Sequence, residues 1–220
     1  MDSGLIWTIT TWVFPVLLCI ILHELAHGWV AMKLGDMTAK FSGRLTFNPK
    51  DHIDPVGTIL VPGVLMLSGS SVLFGWAKPV PVDFSRLRHP KRDMGLVAAA
   101  GPAANVLLAI GFVLMWHVLN AVMPMGDMKE WVFQNVLNGI SLSLALAIFN
   151  LLPILPLDGG RIVSSLLPLK YSIKYQQSER YGFLILLGIL FVAPMLRFNI
   201  IGWFMNALYP FFISIVQIFM

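Results

Sequence analysis

The chain has 220 residues, of which 57% are hydrophobic and only 12% are charged. Soluble domains carry roughly 25% charged residues, so the composition excludes an ordinary water-soluble domain and favours a protein embedded in a lipid bilayer. The net charge of +4 comes from basic residues in short loops beside apolar runs, a pattern typical of contact with anionic lipid headgroups rather than nucleic acid.

Six apolar runs divide the chain. A helix needs about 20 apolar residues to cross the hydrocarbon core of a bilayer. The runs cover approximately residues 5–31, 56–74, 94–122, 131–152, 181–196 and 200–220. We therefore expect an all-α polytopic membrane protein with five to six transmembrane helices.

The second run, residues 56–74, differs from the others. Pro62, Gly63 and Gly69 interrupt it, and the loops before and after it are rich in Lys and Arg, which indicates that both lie on the cytoplasmic side. A segment between two cytoplasmic loops is expected to re-enter the membrane; an ordinary spanning helix is the alternative. The loop of residues 124–130 has no basic excess, so we place it and the N-terminus outside.

Two short segments are predicted to be extended rather than helical. In Arg44–Phe47, polar and apolar residues alternate between Gly43 and Asn48, which predicts a short strand and turn in a β-like hairpin near the active site. Residues 76–82 read WAKPVPV, and a residue that precedes proline favours extended backbone.

The motif His23-Glu24-Leu25-Ala26-His27 is the strongest chemical signal in the sequence. Side chains at positions i and i+4 share one face of a helix, so the imidazoles of His23 and His27 can bind one metal ion. Glu24 lies beside them and can act as general base toward a water that the metal activates. Ionisable residues in a membrane helix cost several kcal/mol each, which favours this role over solvated residues at a helix end.

A catalytic zinc site needs a third protein ligand, and Asp158 is the best candidate. It follows the fourth apolar run, in a segment where two prolines interrupt the helix and two glycines allow close backbone approach. His23 lies roughly 27 Å along the first helix from Leu5, so both candidates lie near the cytoplasmic ends of their helices. The alternative is that Asp158 is the N-cap of a following helix.

Other polar residues are weaker candidates. Asn105 is expected near the metal in depth and could bind a substrate carbonyl or the developing oxyanion; helix–helix hydrogen bonding is its alternative role. Asn150 could hold an unwound substrate strand, or bond to backbone that Pro153 frees. His52 and Asp54 could reach the metal or shape its entrance. Turns are the alternative, because Pro49 and Pro55 lie near them in the pairs Asn48-Pro49 and Asp54-Pro55.

The sequence resembles the site-2 proteases, the intramembrane zinc metalloproteases of peptidase family M50. The resemblance covers about residues 5–165 and is closest to a compact prokaryotic branch without PDZ or CBS domains. The motifs that carry it are HELAH (residues 23–27), AAAGPAANV (98–106), NLLPILPLDGGR (150–161), FNPKDHIDPVGT and FGWAKPVPV. The resemblance implies that His23, His27 and Asp158 hold one zinc ion per chain. Glu24 would then be the catalytic glutamate.

The sequence thus predicts a single integral-membrane protease domain over residues 1–220, with a catalytic core of about residues 5–165 and a C-terminal helical hairpin of about residues 180–220. The resemblance implies regulated intramembrane proteolysis of substrates that have a transmembrane helix. We expect a multi-pass protein of a prokaryotic plasma membrane, with its active site toward the cytoplasm. One alternative is a metal-ion transporter, a class of protein that typically has broken helices at matching positions in two halves of the chain. The other alternative is a catalytically silent scaffold that binds helices.

Overall fold

The computed structural model describes residues 3–68 and 75–219. Helices make up most of these residues, as the sequence predicts. In chain order they are α1 (Ser3–Lys33), α2 (Thr38–Phe41), α3 (Val61–Leu67), α4 (Pro90–Val122), α5 (Asp127–Asn150), α6 (Asp158–Leu166), α7 (Leu169–Gln176), α8 (Glu179–Leu187), α9 (Ala193–Met195) and α10 (Ile200–Gln217). Short 3-10 or π-helical turns cover Pro49–Asp51, Pro55–Leu60, Phe84–Arg86 and Gly188–Val192.

Four of the described helices are long and apolar enough to cross a membrane, namely α1, α4, α5 and α10. A fifth candidate consists of α7 and Glu179–Met195, which are bent by 56° relative to each other. α4 begins at Pro90 rather than near Met94, because proline suits the first turn of a helix and the Asp93 carboxylate accepts a hydrogen bond from the His89 N–H. The described part of the chain therefore has four or five candidate spans.

The segment predicted to re-enter the membrane begins with a π-helical turn, Pro55–Leu60, which continues into α3. Asp54 caps this turn, since its Oδ1 accepts hydrogen bonds from the N–H groups of Val56 and Gly57. Together the turn and α3 are shorter than the helices that could span a membrane. Residues 69–74, the end of the segment, lie outside the described residues, so re-entry stays a prediction.

The predicted hairpin is not confirmed, because no strand occurs among residues 3–68 and 75–219. Around Arg44–Phe47, side chains bond to the backbone instead. His52 Nε2–H donates to the Thr46 carbonyl over 2.8 Å, and the Asn48 N–H donates to Thr46 Oγ1 over 3.1 Å. Such local bonds stabilise a turn without a partner strand. Residues 75–83 are non-helical, as predicted.

α4 lies at the centre of the helix bundle and packs against α1, α5 and α6. Small residues allow this close approach; the Phe112 ring of α4 occupies the space where Gly139 of α5 has no side chain. Lipid gives no hydrophobic driving force between helices, so tight packing and interhelical hydrogen bonds stabilise the bundle. Its largest buried cluster consists of Cys19, Ala109, Phe112, Val113, Val136, Ile140, Leu144 and Val216.

Side-chain hydrogen bonds join α1 to α5. Pro15 inside α1 has no N–H, which leaves the Thr11 carbonyl without its usual helical donor. Asn138 of α5 supplies that donor, because its Nδ2 lies 3.0 Å from the Thr11 oxygen. Farther along α1, Cys19 Sγ lies 3.1 Å from Ser143 Oγ. Both contacts lie on the part of α1 that precedes the His23 motif.

Candidate metal centre

Three side chains converge at one point between α1 and α6. His23 Nε2 lies 3.1 Å from His27 Nε2 and 3.2 Å from Asp158 Oδ2. His27 Nε2 lies 3.4 Å from Asp158 Oδ1. In the described part of the chain, these residues form the cluster of metal-ligating side chains, with ligand atoms within 4.8 Å of one another. His23 and Asp158 are buried and His27 is half-buried.

The local structure explains how Asp158 reaches the histidines. His23 and His27 share one face of α1, whereas Asp158 is the first residue of α6 and follows a loop with a cis Leu155–Pro156 bond. Leu157, not Asp158, occupies the N-cap position, so the carboxylate is turned toward α1 instead of capping its own helix. The loop folds tightly onto α6, since a Cβ at Gly160 would lie 2.6 Å from the Leu155 nitrogen.

The spacing of the three side chains suits a tetrahedral divalent metal ion. Bond lengths of about 2.0–2.2 Å to imidazole nitrogen and carboxylate oxygen place neighbouring ligands about 3.3–3.5 Å apart. The observed separations of 3.1, 3.2 and 3.4 Å are close to these values. Asp158 Oδ2 is also buried without a hydrogen-bond partner in the described structure, although His23 Nε2 lies 3.2 Å from it. A cation at this point would satisfy that oxygen.

The second nitrogen of each imidazole contacts α4. His27 Nδ1 lies 2.8 Å from the Val97 carbonyl oxygen. A carbonyl can only accept, so His27 carries a proton on Nδ1, and the neutral ring then presents the Nε2 lone pair to the cluster. His23 Nδ1 lies 3.2 Å from the amide nitrogen of Asn105. α4 therefore sets the orientation of both rings.

Gly101 of α4 provides the space in which both rings lie. A Cβ at this position would be 2.5 Å from His27 Nε2, 2.5 Å from His23 Cε1 and 2.6 Å from His23 Nε2. These distances are too short for any side chain, so glycine is required. Gly101 is not among the site residues predicted from sequence, although the run of small residues around it is the signal that marks a close helix contact.

Glu24 projects from α1 toward the extended segment of residues 75–83. Its Oε2 accepts a hydrogen bond from the Val80 N–H over 2.8 Å. Its Oε1 has no hydrogen-bond partner among residues 3–68 and 75–219. One carboxylate oxygen is thus held while the other is available. The sequence does not predict this role of Val80. Every residue other than proline has a backbone N–H, and no residue type marks the one that bonds to Glu24.

A cavity of about 750 Å³ opens beside the cluster. Its wall includes Glu24 from α1, Ala98 from α4, Asn150 from α5, Asp158 from α6 and Val80 from the extended segment. The Asn150 amide donates to the carbonyl of Leu146 in its own helix. The cavity brings Glu24 and Asn150 to the same space as the cluster, as a substrate site requires.

The other predicted polar residues lie elsewhere. Asn105 is fully buried and is not among the described residues that line the cavity. His52 is bonded to Thr46, and Asp54 caps a helical turn; neither belongs to the metal-ligating cluster of the described chain. In this structure Asn105 makes a hydrogen bond between helices. His52 and Asp54 bond within turns.

Several known proteins are similar in sequence to this chain. The profile of peptidase family M50 matches residues 115–193. YwhC of Bacillus subtilis (strain 168), named as a candidate zinc metalloprotease, is 41% identical over 201 residues, which are 89% of this chain and 87% of that protein. Rip2 of Mycolicibacterium smegmatis, named in the same way, is 27% identical over 197 residues, 89% of this chain and 70% of that protein.

A more distant relative is the regulator of sigma-E protease RseP of Salmonella typhimurium, 28% identical over 114 residues that make up 49% of this chain and 25% of that protein. No solved structure matches the chain with statistical significance. The extent of the match to YwhC is sufficient to assign the family. The chain belongs to peptidase family M50 and is a metalloendopeptidase built as a multi-pass integral membrane protein.

Proposed function

We propose that the protein is an intramembrane zinc protease in which His23, His27 and Asp158 hold one zinc ion and Glu24 is the general base. The observation that carries the proposal is the convergence of the three ligand side chains beside a cavity that also contains Glu24. The names of the relatives, which refer to zinc metalloproteases, support zinc as the metal.

Zinc in such a site supplies Lewis-acid chemistry, which activates a water and polarises the scissile carbonyl. Glu24 accepts a proton from the attacking water and later passes it to the leaving amine. The contact with Val80 supports this role, because it fixes Oε2 and leaves Oε1 to exchange the proton. Asn150, in the wall of the same cavity, would hydrogen-bond the substrate backbone.

The substrate class that we propose is a membrane protein whose transmembrane helix unwinds near the site. An unwound substrate presents unpaired backbone groups, which can add to an extended segment of the enzyme. In residues 75–83, the N–H groups of Trp76, Lys78 and Val80 already donate to Gly57, His52 and Glu24. The N–H groups of residues 45–47 make no hydrogen bond within the described chain, so this segment is the better candidate for pairing with the substrate.

We further propose that the site faces the cytoplasm of a prokaryotic cell. The loops between α1 and α4, which lie on the side of the metal centre, are rich in Lys and Arg. The loop between α4 and α5 has no basic excess. In this arrangement, residues 5–165 form the catalytic core and residues 180–220 pack against it as a C-terminal hairpin.

The test uses purified protein in liposomes with a model substrate that has one transmembrane helix. Wild type is expected to cleave the substrate. Glu24→Gln is expected to retain zinc and lose cleavage by at least about 100-fold, since general-base catalysis contributes 10²–10⁴-fold. Glu130→Gln, an exposed glutamate at the other end of the molecule, is the matched control and should cleave like wild type.

Two results would contradict the proposal. Cleavage by Glu24→Gln at the wild-type rate would exclude Glu24 as the base. Zinc flux across the liposome membrane, without cleavage by wild type, would instead favour a transporter.

A further inference from the structure

Asn105 is the one side chain whose amide contacts a proposed metal ligand in the described structure. It is 0% exposed, and its Nδ2 lies 3.2 Å from His23 Nδ1. Its Oδ1 is buried and has no hydrogen-bond partner in the described chain. Leaving a buried amide oxygen unpaired costs about 1–3 kcal/mol, so this arrangement calls for an explanation.

The placement of the two amide atoms decides which nitrogen of His23 can bind a metal. With Nδ2 toward the ring, Asn105 donates to His23 Nδ1, and the neutral imidazole then carries its proton on Nε2. That proton would lie where the metal must bind. The His27 ring has the opposite arrangement, since the Val97 carbonyl requires a proton on Nδ1 and leaves Nε2 free.

The oxygen and nitrogen of an asparagine amide have nearly the same shape, and their assignment follows from hydrogen bonding. Rotation of the amide by half a turn places Oδ1 on His23 Nδ1. The oxygen then accepts the Nδ1 proton, and the Nε2 lone pair points into the cluster beside that of His27.

We propose that Asn105 is a positioning residue for the metal centre: in the zinc-bound protein its Oδ1 accepts the Nδ1 proton of His23 and fixes the tautomer that binds zinc through Nε2. This assignment rests on the proposed function, in which His23 is a ligand. It places Asn105 behind the ligand, where a buried side chain outside the cavity can act, and not at the oxyanion. Partners of this kind typically change metal affinity by about 10–100-fold.

Zinc affinity tests the assignment without relying on cleavage. The dissociation constant would be measured by chelator competition on the full chain in detergent. Asn105→Leu has a similar volume but no acceptor, and should bind zinc about 10–100-fold more weakly. Asn105→Asp keeps an acceptor oxygen and should bind within about threefold of wild type or more tightly. Asn138→Leu, which also removes a buried asparagine from an interhelical bond, should bind zinc like wild type.

Nitrogen-15 NMR of the histidine rings in zinc-loaded wild type is the second measurement, and it needs no variant to fold. A proton on His23 Nδ1 is expected. Wild-type affinity in Asn105→Leu, affinity in Asn105→Asp as weak as in Asn105→Leu, or an unprotonated His23 Nδ1 would each overturn the assignment. Zinc binding that is unchanged in His23→Ala would instead show that the proposed function itself is wrong.

Discussion

The backbone N–H of Val80 donates a hydrogen bond to Oε2 of Glu24 over 2.8 Å. Pro79 and Pro81 flank Val80 and have no N–H, so this contact uses the single backbone donor of residues 79–81. A second hydrogen bond fixes the same segment, since the Lys78 N–H donates to the His52 carbonyl. A non-helical segment thereby holds the proposed general base in a fixed position.

Replacement of Val80 by proline removes this donor. A hydrogen bond to a charged group contributes about 1.5–3 kcal/mol, so Val80→Pro should lower the cleavage rate by roughly 10-fold or more while zinc content stays unchanged. Val80→Ala keeps the N–H and should lose less activity. Cleavage rates and zinc content of the two variants provide the measurement, and equal rates would mean that the N–H does not position Glu24.

A second prediction concerns the glycine beneath the imidazoles. Gly101→Ala would place a Cβ 2.5 Å from His27 Nε2, which displaces the rings, so we expect zinc content to fall below about one-tenth of the wild-type value. The matched control is Gly111→Ala in the same helix, where a Cβ would meet nothing within 4 Å. It should bind zinc normally and be equally or slightly more stable to heat. Normal zinc content in Gly101→Ala would contradict the observed contact.

The proposed orientation can be tested with introduced cysteines. The natural Cys19 is 0% exposed, so it should react little with a membrane-impermeant maleimide. In intact bacterial cells, exposed Met128→Cys in the first turn of α5 should be labelled, whereas exposed Lys50→Cys should be labelled only after permeabilisation. The reverse pattern would place the metal centre on the outer side.

Side-chain chemistry is the part of the site that the sequence could predict. His23 and His27 share a helix face because of their i, i+4 spacing, and the sequence predicts Asp158 as a carboxylate at matching depth on the same side. The structure brings all three together. Asn150 lies in the wall of the cavity, and its binding of a substrate strand stays a prediction.

Backbone groups and rotations of helices about their axes could not be predicted. The Val97 carbonyl and the Val80 N–H act through atoms that nearly every residue has, so no residue type marks them. The depth of Asn105 along α4 can be estimated from the sequence, but the rotation of α4 that turns its amide toward His23 depends on helix packing, including the close contact at Gly101.

The strand predicted at Arg44–Phe47 illustrates a second limit of local patterns. Alternation of polar and apolar residues is compatible with a strand, but a strand also needs a partner that supplies backbone hydrogen bonds. Within the described chain that partner is missing, and Thr46 bonds to His52 and Asn48 instead. Pairing here stays a prediction for the complex with a substrate.

In the proposed site, α1 and α6 share one zinc ion. Elemental analysis of detergent-purified protein tests it directly, with His23→Ala, Asp158→Ala and the control Asp54→Ala beside wild type. We expect about one zinc per chain in wild type and Asp54→Ala, and nearly none in the two ligand variants. Absence of zinc from wild type, or full zinc content in Asp158→Ala, would contradict it.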